Sequence, residues 1–344
     1  MQAIRLHPAQ AGPPYSPSNP APSSALHLDT VPIPKPSKAG ELLIKIKAST
    51  IIRDTLTWPE TYSHDYLISG NDLSGTVVEV FDEQNSKFKP GDEVFGMLAA
   101  DRPGAWAEYA IATENEVSLK PAKLAWEDAA ALPLSGMTAY EALFVHAGVP
   151  VPERDAAVQN LRGLNPRNEV AKKVLITGAG GAVGAYIVQL ARLAGLHVTA
   201  ATSSNERNAE FLRGLGADDT IEYAALQTEN QKEVYDIVID TVGGKPLADV
   251  WACIKAGGSL ITVDSSSFNF VEEHTKRGIR REGIKALFFI VEGGAASLNA
   301  LAEFANLGLL QVFVLDSYPL AKAREAYDRA NGRLTGRGKI ILSV

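Results

Sequence analysis

The sequence predicts an α/β protein in which a doubly wound parallel sheet is joined to a second domain rich in β-strands. Strand-like and helix-like segments alternate between Lys172 and Asp264, and right-handed crossovers between them require a parallel sheet. A glycine turn stands between the first of these strands and the helix that follows it. The first third of the chain instead contains short segments in which apolar and polar residues alternate, as in half-buried strands.

The β-rich domain is assigned to residues 1–124 and 312–344. Residues 8–38 are dense in proline, which blocks helix and central strand, so this part is predicted to be loop with short edge pieces. From Glu41 the segments ELLIKIKAST, LSGTVVEVFD, GDEVFGML and AEYAIAT alternate and predict short antiparallel strands. The closing KIILSV is also strand-like and is expected to return to this domain.

The parallel-sheet domain is assigned to residues 125–311. Its predicted strands include KKVLIT, LHVTAAT, VYDIVIDTV and SLITVD, and its predicted helices include AYIVQLARLAG, NERNAEFLRGLG and PLADVWACIKAGG. The helical spacing of WEDAAALPLSGMTAYEALFVHAG is interrupted by Pro133 and Gly136. Residues 149–170 are polar and are expected to form a surface excursion with a short helix from Asp155 to Leu161.

The glycine turn predicts a dinucleotide site. Gly178, Gly181 and Gly184 follow a buried strand and open a helix, and a second strand comes about 20 residues later. Glycine permits a positive φ and a close backbone approach to a pyrophosphate, and the helix N-terminus supplies free N–H groups. Residue 183 is Val, so the turn is a variant of the common G-x-G-x-x-G pattern. The alternative is a tight turn in an α/β fold that binds no nucleotide.

The end of the second strand favours NADPH over NADH. An NAD enzyme usually ends this strand with Asp or Glu, which binds the ribose 2′-OH. Here the strand ends in Ala-Thr-Ser203-Ser204-Asn, and Arg207 and Tyr223 follow. Hydroxyls and a guanidinium suit a 2′-phosphate through charge-assisted hydrogen bonds. The alternative is that Ser203 or Ser204 caps the next helix and Arg207 is a solvated surface residue.

Composition excludes several other classes of protein. The net charge of -7 argues against a nucleic-acid surface, which needs clustered Lys and Arg. A single cysteine, Cys253, builds neither an internal disulfide nor a four-thiolate zinc lobe. We find no signal-like start and no stretch near the roughly 20 apolar residues that span a bilayer, so the expected location is the cytoplasm and no membrane partner is expected.

These motifs resemble those of the medium-chain dehydrogenase/reductase superfamily. GAGGAVG, LGAD, YDIVIDTVGG, FKPGDEVFGML, GAWAEYA, AAALPLSGMTAYEAL and GKIIL are similar to blocks of its zinc-independent quinone oxidoreductase and enoyl reductase branch. The resemblance covers essentially the whole chain. It implies a Rossmann domain, a GroES-like catalytic domain and an NADPH-dependent reductase that acts on a small, apolar, conjugated molecule. A homodimer is one assembly to expect for such a chain.

The resemblance also implies roles for individual residues. Thr138 matches a threonine near the nicotinamide carboxamide, and Arg207, Tyr223 and Arg333 match contacts to the 2′-phosphate. Residues 240–244 follow a strand end that borders the cofactor. Together with the glycine turn, this gives the expected cofactor-binding residues: Thr138, Gly178, Gly181, Ala182, Val183, Gly184, Ser203, Ser204, Arg207, Tyr223, Thr241, Val242, Phe289 and Arg333.

The zinc-dependent members differ from this sequence at their metal ligands. They carry a Cys where this chain has Ile51, and a His-Glu pair where it has Asn71-Asp72. Catalytic zinc needs about three protein ligands. We therefore expect no zinc. Ser69 also replaces the proline that usually precedes Gly70, so the polar contacts to substrate are expected to differ from those of the reference groups.

Without a Lewis acid, hydride transfer is easiest to a conjugated acceptor such as an enone, enal, enoyl thioester or quinone. The resemblance places Tyr62 near a tyrosine that acts as proton donor in related enoyl reductases, so it is expected to protonate the enolate or, alternatively, only to line the pocket. Two further alternatives are a trans-acting enoyl reductase of a polyketide pathway and a non-catalytic NADPH-binding protein. The expected residues of an apolar substrate pocket are Ile51, Trp58, Tyr62, Trp106 and Phe288.

Overall fold

The computed structural model of the chain describes residues 1–164, 171–332 and 335–344. Its strands are β1 (Gln2–Leu6), β2 (Leu26–Thr30), β3 (Glu41–Ile51), β4 (Asp72–Val80), β5 (Glu93–Met97), β6 (Tyr109–Thr113), β7 (Val117–Leu119), β8 (Lys173–Ile176), β9 (His197–Thr202), β10 (Asp219–Glu222), β11 (Tyr235–Asp240), β12 (Ile254–Thr262), β13 (Lys285–Phe288), β14 (Val314–Pro319) and β15 (Lys339–Ser343). Its α-helices are α1 (Trp126–Ala131), α2 (Pro133–Tyr140), α3 (Arg154–Leu161), α4 (Ala182–Leu193), α5 (Asn205–Gly214), α6 (Gly244–Asp249), α7 (Phe270–Lys276), α8 (Ala295–Asn306) and α9 (Ala323–Asn331).

The described chain divides into two compact units. The first comprises Met1–Leu134, Gly293–Asn306 and Val312–Val344, and the second comprises Ser135–Glu292 and Leu307–Gln311. The change from the first unit to the second comes after Leu134 rather than after residue 124. Helix α8, which the sequence assigned to the parallel-sheet domain, lies in the first unit because it packs on β7.

The first unit contains a mixed sheet rather than a purely antiparallel one. Its order is β14-β15-β3-β4-β5-β7, and β6 also pairs with β3. Strand β15 runs antiparallel to β3, as expected for the returning C-terminal strand, but parallel to β14. One face covers a core of buried side chains that includes Leu42, Ile44 and Leu73. The N-terminal β1 forms a separate antiparallel pair with β2.

In the described part of the second unit, six parallel strands have the order β10-β9-β8-β11-β12-β13. If the six strands are numbered 1 to 6 along the chain, starting with β8, their order in the sheet is 3-2-1-4-5-6. This is the order of the Rossmann fold. The prediction of an α/β fold with a parallel nucleotide-binding sheet and a second β-rich domain is therefore confirmed. The carboxyl ends of these strands lie at one edge of the sheet, where such folds bind their ligands.

Two predicted helices have different limits in the structure. The helix predicted over PLADVWACIKAGG ends at Asp249, a 3₁₀ turn follows, and β12 begins at Ile254. Gly257, at a φ of 77°, interrupts any helix here. Pro133 does break the helical segment after Leu132, but Gly136 lies within the continuous helix α2. The short helix expected near Asp155 is α3, whereas residues 165–170 of the polar excursion lie outside the described residues.

Candidate cofactor site and its surroundings

The glycine turn is shaped so that side chains would not fit. Gly178 has a φ of 65°, and a Cβ there would lie 2.1 Å from Thr241 Oγ1. A Cβ on Gly184 would lie 2.2 Å from the carbonyl oxygen of Gly178. The N–H of Gly181 donates to that same carbonyl at 2.8 Å and closes the turn. The turn therefore brings its backbone tightly under the carboxyl ends of β8 and β11.

The N-terminus of α4 is open to a ligand. The helix begins at Ala182, and its N-cap residue is Gly181, which has no side chain to bond the first N–H groups. Gly181 and Ala182 are exposed and Val183 is half-buried. A helix of this length carries partial positive charge at its N-terminus, which favours an anion. The turn and helix therefore fit the pyrophosphate of a dinucleotide.

A buried carboxylate ties three strand ends together beneath this turn. Asp240, at the end of β11, accepts hydrogen bonds from the hydroxyls of Thr177 at 2.5 Å and Thr262 at 2.8 Å and from Gly243 N at 2.9 Å. Burial raises the pKa of the Asp240 carboxyl, and these hydrogen bonds oppose the rise. Thr177 and Thr262, which follow or end neighbouring strands, were not recognised from sequence. The signal that was available is a hydroxyl residue at the carboxyl end of each parallel strand.

Tyr223 supports the turn directly. Its phenol oxygen accepts a hydrogen bond from Gly178 N at 3.0 Å. Burial raises the pKa of the Tyr223 hydroxyl, so it stays protonated at neutral pH. Gly178 also packs against Thr241 and Val242, since its Cβ position is 2.9 Å from a Val242 methyl. The structure thus brings together four of the predicted cofactor residues.

The end of β9 carries no acid of its own, but an acid lies beside it. Ser203 is exposed, and Ser204 is the N-cap of α5, where its hydroxyl makes no capping bond to the N–H groups of this described helix. Arg207 is exposed on the first turn of α5. On the neighbouring β10, the Glu222 carboxylate accepts from Asn205 N at 2.8 Å. Sequence reasoning missed Glu222, although the pairing of adjacent strand ends gives the signal for it.

Two of the remaining predicted cofactor residues, Thr138 and Phe289, lie in the second unit. Thr138 is buried on α2. Phe289 is 9% exposed, and its ring packs against that of His146 with centroids 4.1 Å apart and the ring planes tilted by 41°. Arg333 lies outside the described residues, so its expected contact stays a prediction.

The hydroxyl of Tyr62 is engaged by the main chain. It accepts from Ala21 N at 2.9 Å and donates to the carbonyl of Leu56. The ring packs at the edge of a core cluster of the first unit, and burial raises the pKa of the hydroxyl. This arrangement connects a proline-rich loop to the segment after β3. It argues against Tyr62 as a proton donor, because its one proton is already given to a carbonyl.

The other predicted substrate residues have different surroundings, each within its own unit. Trp106 is completely buried and its indole N–H donates to Thr50 O at 2.9 Å, so it is a packing residue rather than an accessible wall. Ile51 is buried in the hydrophobic core cluster that also contains Trp106. Phe288 is half-buried at the end of β13 and packs against a core cluster of the second unit. Trp58 is half-buried and lines a small cavity within the first unit.

That cavity, of about 10 Å³, has a partly polar lining. It is lined by Ser69, Asn71 and Thr61 among others. The Asn71 amide donates to Leu98 O at 3.1 Å. The buried Ser69 hydroxyl has no hydrogen-bond partner among the described residues. The volume suits a single water molecule.

The sequence matches two known protein families. Residues 38–122 match the alcohol dehydrogenase GroES-like domain, and residues 215–342 match a zinc-binding dehydrogenase domain. A probable mitochondrial zinc-binding oxidoreductase of Arthroderma benhamiae is 36% identical over 332 residues, which cover 94% of each chain. The chloroplastic quinone-oxidoreductase QR1 of Triphysaria versicolor is 31% identical, over 89% of this chain and 91% of its own. This chain belongs to the medium-chain dehydrogenase/reductase family.

Further similarities place it in the quinone oxidoreductase branch. The solved quinone oxidoreductase of Coxiella burnetii has a TM-score of 0.77 and 25% identity, and the match covers 100% of this chain and 99% of that one. The human mitochondrial NAD(P)H oxidoreductase RTN4IP1 is 31% identical, over 81% of this chain and 70% of its own. The chain is therefore an NAD(P)H-dependent oxidoreductase with a nicotinamide cofactor and a small-molecule substrate. This general part of the predicted function is confirmed.

The expected cytoplasmic location is wrong by the same comparison. The relatives from Arthroderma and human are named as mitochondrial proteins and that from Triphysaria as chloroplastic. The expectation rested on the absence of a recognisable leader, which is not a positive signal for any compartment. The structure adds that, within the described residues, no helix is both long and apolar enough to cross a membrane.

Proposed function

We propose that this reductase uses NADPH to deliver hydride to an activated carbon–carbon double bond or a quinone, and that it does so without zinc. The observation that carries the cofactor preference is the end of β9, where Ser203, Ser204 and Arg207 stand in place of the acid that binds a ribose 2′-OH. A 2′-phosphate there would receive hydrogen bonds from hydroxyls and a guanidinium.

Glu222 is the residue that opposes this preference, since its carboxylate lies at the next strand end. The Glu222 carboxylate accepts a hydrogen bond from Asn205 N, the first residue of α5, and is therefore held at the N-terminus of that helix. The partial positive charge at the N-terminus of α5 offsets part of the negative charge of Glu222, so a 2′-phosphate would be repelled less by this carboxylate. Tyr223 supports NADPH as well, because its protonated hydroxyl accepts from Gly178 N and retains a proton to donate.

The zinc-free part of the proposal rests on the two substituted ligand positions. Ile51 is 4% exposed and lies in a hydrophobic cluster. The side-chain amide nitrogen of Asn71 donates a hydrogen bond to Leu98 O. Asp72, next to it, is fully buried and paired with Lys339. Within the described ranges, no three His, Cys, Asp or Glu side chains are grouped so that they could hold a metal ion.

The substrate follows from this chemistry. The bound nicotinamide supplies the hydride, and the chain has to bind, orient and shield the acceptor. In a conjugated acceptor the developing negative charge spreads to an oxygen, which hydrogen bonds or water can stabilise. The Ser69 hydroxyl, buried beside a water-sized cavity, is the group that we expect to hold such a water. The name of the Coxiella structure, a quinone oxidoreductase, agrees with this class of acceptor.

The test is steady-state kinetics over a panel of quinones, enals, enones and enoyl thioesters, with saturated ketones as the matched control. Each acceptor is assayed with NADPH and with NADH. We expect conjugated acceptors to have the highest kcat/KM and NADPH to be favoured by about tenfold or more, the range for charge-assisted hydrogen bonds. Activity restricted to saturated ketones, or an equal use of NADH, would contradict the proposal.

A further inference from the structure

A fully buried carboxylate lies at the carboxyl end of the parallel sheet, and the proposed function gives it no role. Asp240 and the two threonines that bond it, Thr177 and Thr262, are each 0% exposed. They end or directly follow the neighbouring strands β11, β8 and β12, and all three belong to the second unit. An ionised carboxylate only accepts hydrogen bonds, so both hydroxyls must turn their protons toward it. The carboxylate therefore fixes the direction of the hydrogen bonds at this edge of the sheet.

Thr177 connects the carboxylate to the glycine turn. Its hydroxyl donates to Asp240 Oδ1 at 2.5 Å, so the lone pairs of the same oxygen can accept from Thr241 N at 3.3 Å. Thr241 Oγ1 in turn donates to Thr177 O at 3.0 Å. Gly178 follows Thr177 in the chain, and its carbonyl accepts from Gly181 N, which closes the turn. The main chain that enters the turn is thus held by hydrogen bonds of two side chains.

The turn is sensitive to small displacements of these threonines. A Cβ on Gly178 would lie 2.1 Å from Thr241 Oγ1, so Thr241 packs directly on the turn. Without the Thr177 hydroxyl, Thr241 N would lose an acceptor and the buried Asp240 would lose a donor, which is costly unless the strand ends shift. The first N–H groups of α4 follow this turn, and they are the groups that fit a pyrophosphate.

From this geometry we infer that Asp240 and Thr177 are positioning residues of the dinucleotide site: they hold the glycine turn in the conformation that presents its N–H groups to a pyrophosphate. Asp240 acts through Thr177, and neither side chain is accessible to the ligand, because both are fully buried. The inference rests on the binding of a dinucleotide at this turn. It does not depend on the proposed preference for NADPH or on the class of acceptor.

Four variants test this link. Thr177→Val removes the hydroxyl and keeps the shape of the side chain, whereas Thr177→Ser keeps the hydroxyl. Thr199→Val is the matched control, since Thr199 is a buried threonine, 3% exposed, within β9 rather than at its carboxyl end. Asp240→Asn tests the carboxylate itself, because one of its two acceptor atoms becomes a donor.

The ligands are chosen so that the pyrophosphate is measured separately from the rest of the cofactor. ADP-ribose contains the pyrophosphate but neither the nicotinamide nor a 2′-phosphate. In contrast, 2′-AMP contains the adenosine but no pyrophosphate. Affinities are measured by calorimetry, together with KM and kcat for NADPH and the free energy of unfolding in urea.

We expect Thr177→Val to bind ADP-ribose and NADPH about fivefold more weakly, which corresponds to one typical hydrogen bond, and 2′-AMP with less than about twofold change. Thr177→Ser should stay near wild type. The KM for NADPH should rise by the same factor at nearly unchanged kcat, because the pyrophosphate is bound equally before and during hydride transfer.

Asp240→Asn should weaken ADP-ribose binding at least as much as Thr177→Val does. The double variant should bind like Asp240→Asn alone, because both changes break one interaction. Thr199→Val should lower the free energy of unfolding without weakening ADP-ribose binding.

Unchanged ADP-ribose binding in Thr177→Val would overturn the inference, as would an equal loss in Thr199→Val or a loss for 2′-AMP as large as that for ADP-ribose. If Asp240→Asn does not fold, the comparison of the three threonine variants still decides. Failure of the proposed function is visible separately in the wild-type protein, as equal affinity for NADPH and NADH or as activity restricted to saturated ketones. Neither of those results changes what the variants show with ADP-ribose.

Discussion

At the scale of single residues, the cofactor turn is determined by close approach. Gly178 leaves space for Thr241, and its N–H is held by the phenol of Tyr223. Each partner directly follows a different strand, β11 or β10, so the conformation of the turn depends on the order of strands as well as on the glycines. The charges at the proposed 2′-phosphate position, on Arg207 and Glu222, are in contrast exposed, so we expect that they can be changed without disturbing the fold.

Arg207 and Glu222 provide opposite tests of the cofactor preference. We expect Arg207→Ala to weaken NADPH binding by about 1.5–3 kcal/mol, the range for hydrogen bonds to charged groups, and to leave NADH almost unchanged. Glu222→Gln should strengthen NADPH binding by about two- to fivefold, since it removes an exposed like charge. Calorimetric titration of both cofactors on both variants gives the four values. Equal effects of Arg207→Ala on NADPH and NADH would refute a phosphate contact.

Tyr62 separates a catalytic role from a structural one. Loss of a donor that stabilises a developing oxyanion typically costs about 10²–10³ in turnover. Because its hydroxyl bonds Ala21 N and Leu56 O, we expect Tyr62→Phe to lower the free energy of unfolding by about 1 kcal/mol and to change turnover less than threefold. Turnover is measured at saturating NADPH with the best acceptor, and stability by urea unfolding. A loss of a hundredfold or more at unchanged stability would restore Tyr62 as the proton donor.

At the scale of elements, local patterns predicted the strands well and their partners less well. The alternation in ELLIKIKAST defines β3, and the glycine turn lies where the strand and helix signals place it. The pairing of β14 with β15 and the packing of α8 on β7 depend on contacts between distant segments, which no local period encodes. The helix predicted through Cys253 failed for a related reason: apolar residues of a buried 3₁₀ turn and of a strand resemble those of a helix.

Sequence predicts the structural setting of a residue where its type has one common use, and fails to do so where the use depends on distant partners. Three glycines spaced in this way between a buried strand and a helix are typical of a dinucleotide turn, so the position of a tight turn between β8 and α4 was predicted from sequence. Trp106 is an aromatic residue that packs as well in a core as in a pocket, and only its bond to Thr50 O decides for the core. The Asp72–Lys339 pair joins residues 267 positions apart, and neither side chain signals its partner in the sequence.

At the scale of the whole molecule, the main disagreement concerns metal. The family descriptions and the Arthroderma relative name zinc, whereas this chain has Ile51 and Asn71 at the ligand positions. Zinc sites need about three protein ligands of nitrogen, sulfur or oxygen type. The Ile51 side chain has no nitrogen, sulfur or oxygen atom that could bind zinc. The side-chain amide nitrogen of Asn71 donates a hydrogen bond to Leu98 O. The name of the family therefore does not determine the chemistry of this member.

We accordingly expect the purified protein to contain far less than one zinc per chain and to keep its activity in a chelator. Elemental analysis is made after gel filtration, before and after incubation with EDTA, and NADPH oxidation is followed with the same samples. As a matched control, protein loaded with excess zinc and then desalted should return to the same low content and the same rate, because no set of ligands retains the ion. About one tightly held zinc per chain, with activity lost on its removal and restored on its return, would show that the chain recruits ligands other than those of its relatives and would place the reaction with the zinc alcohol dehydrogenases.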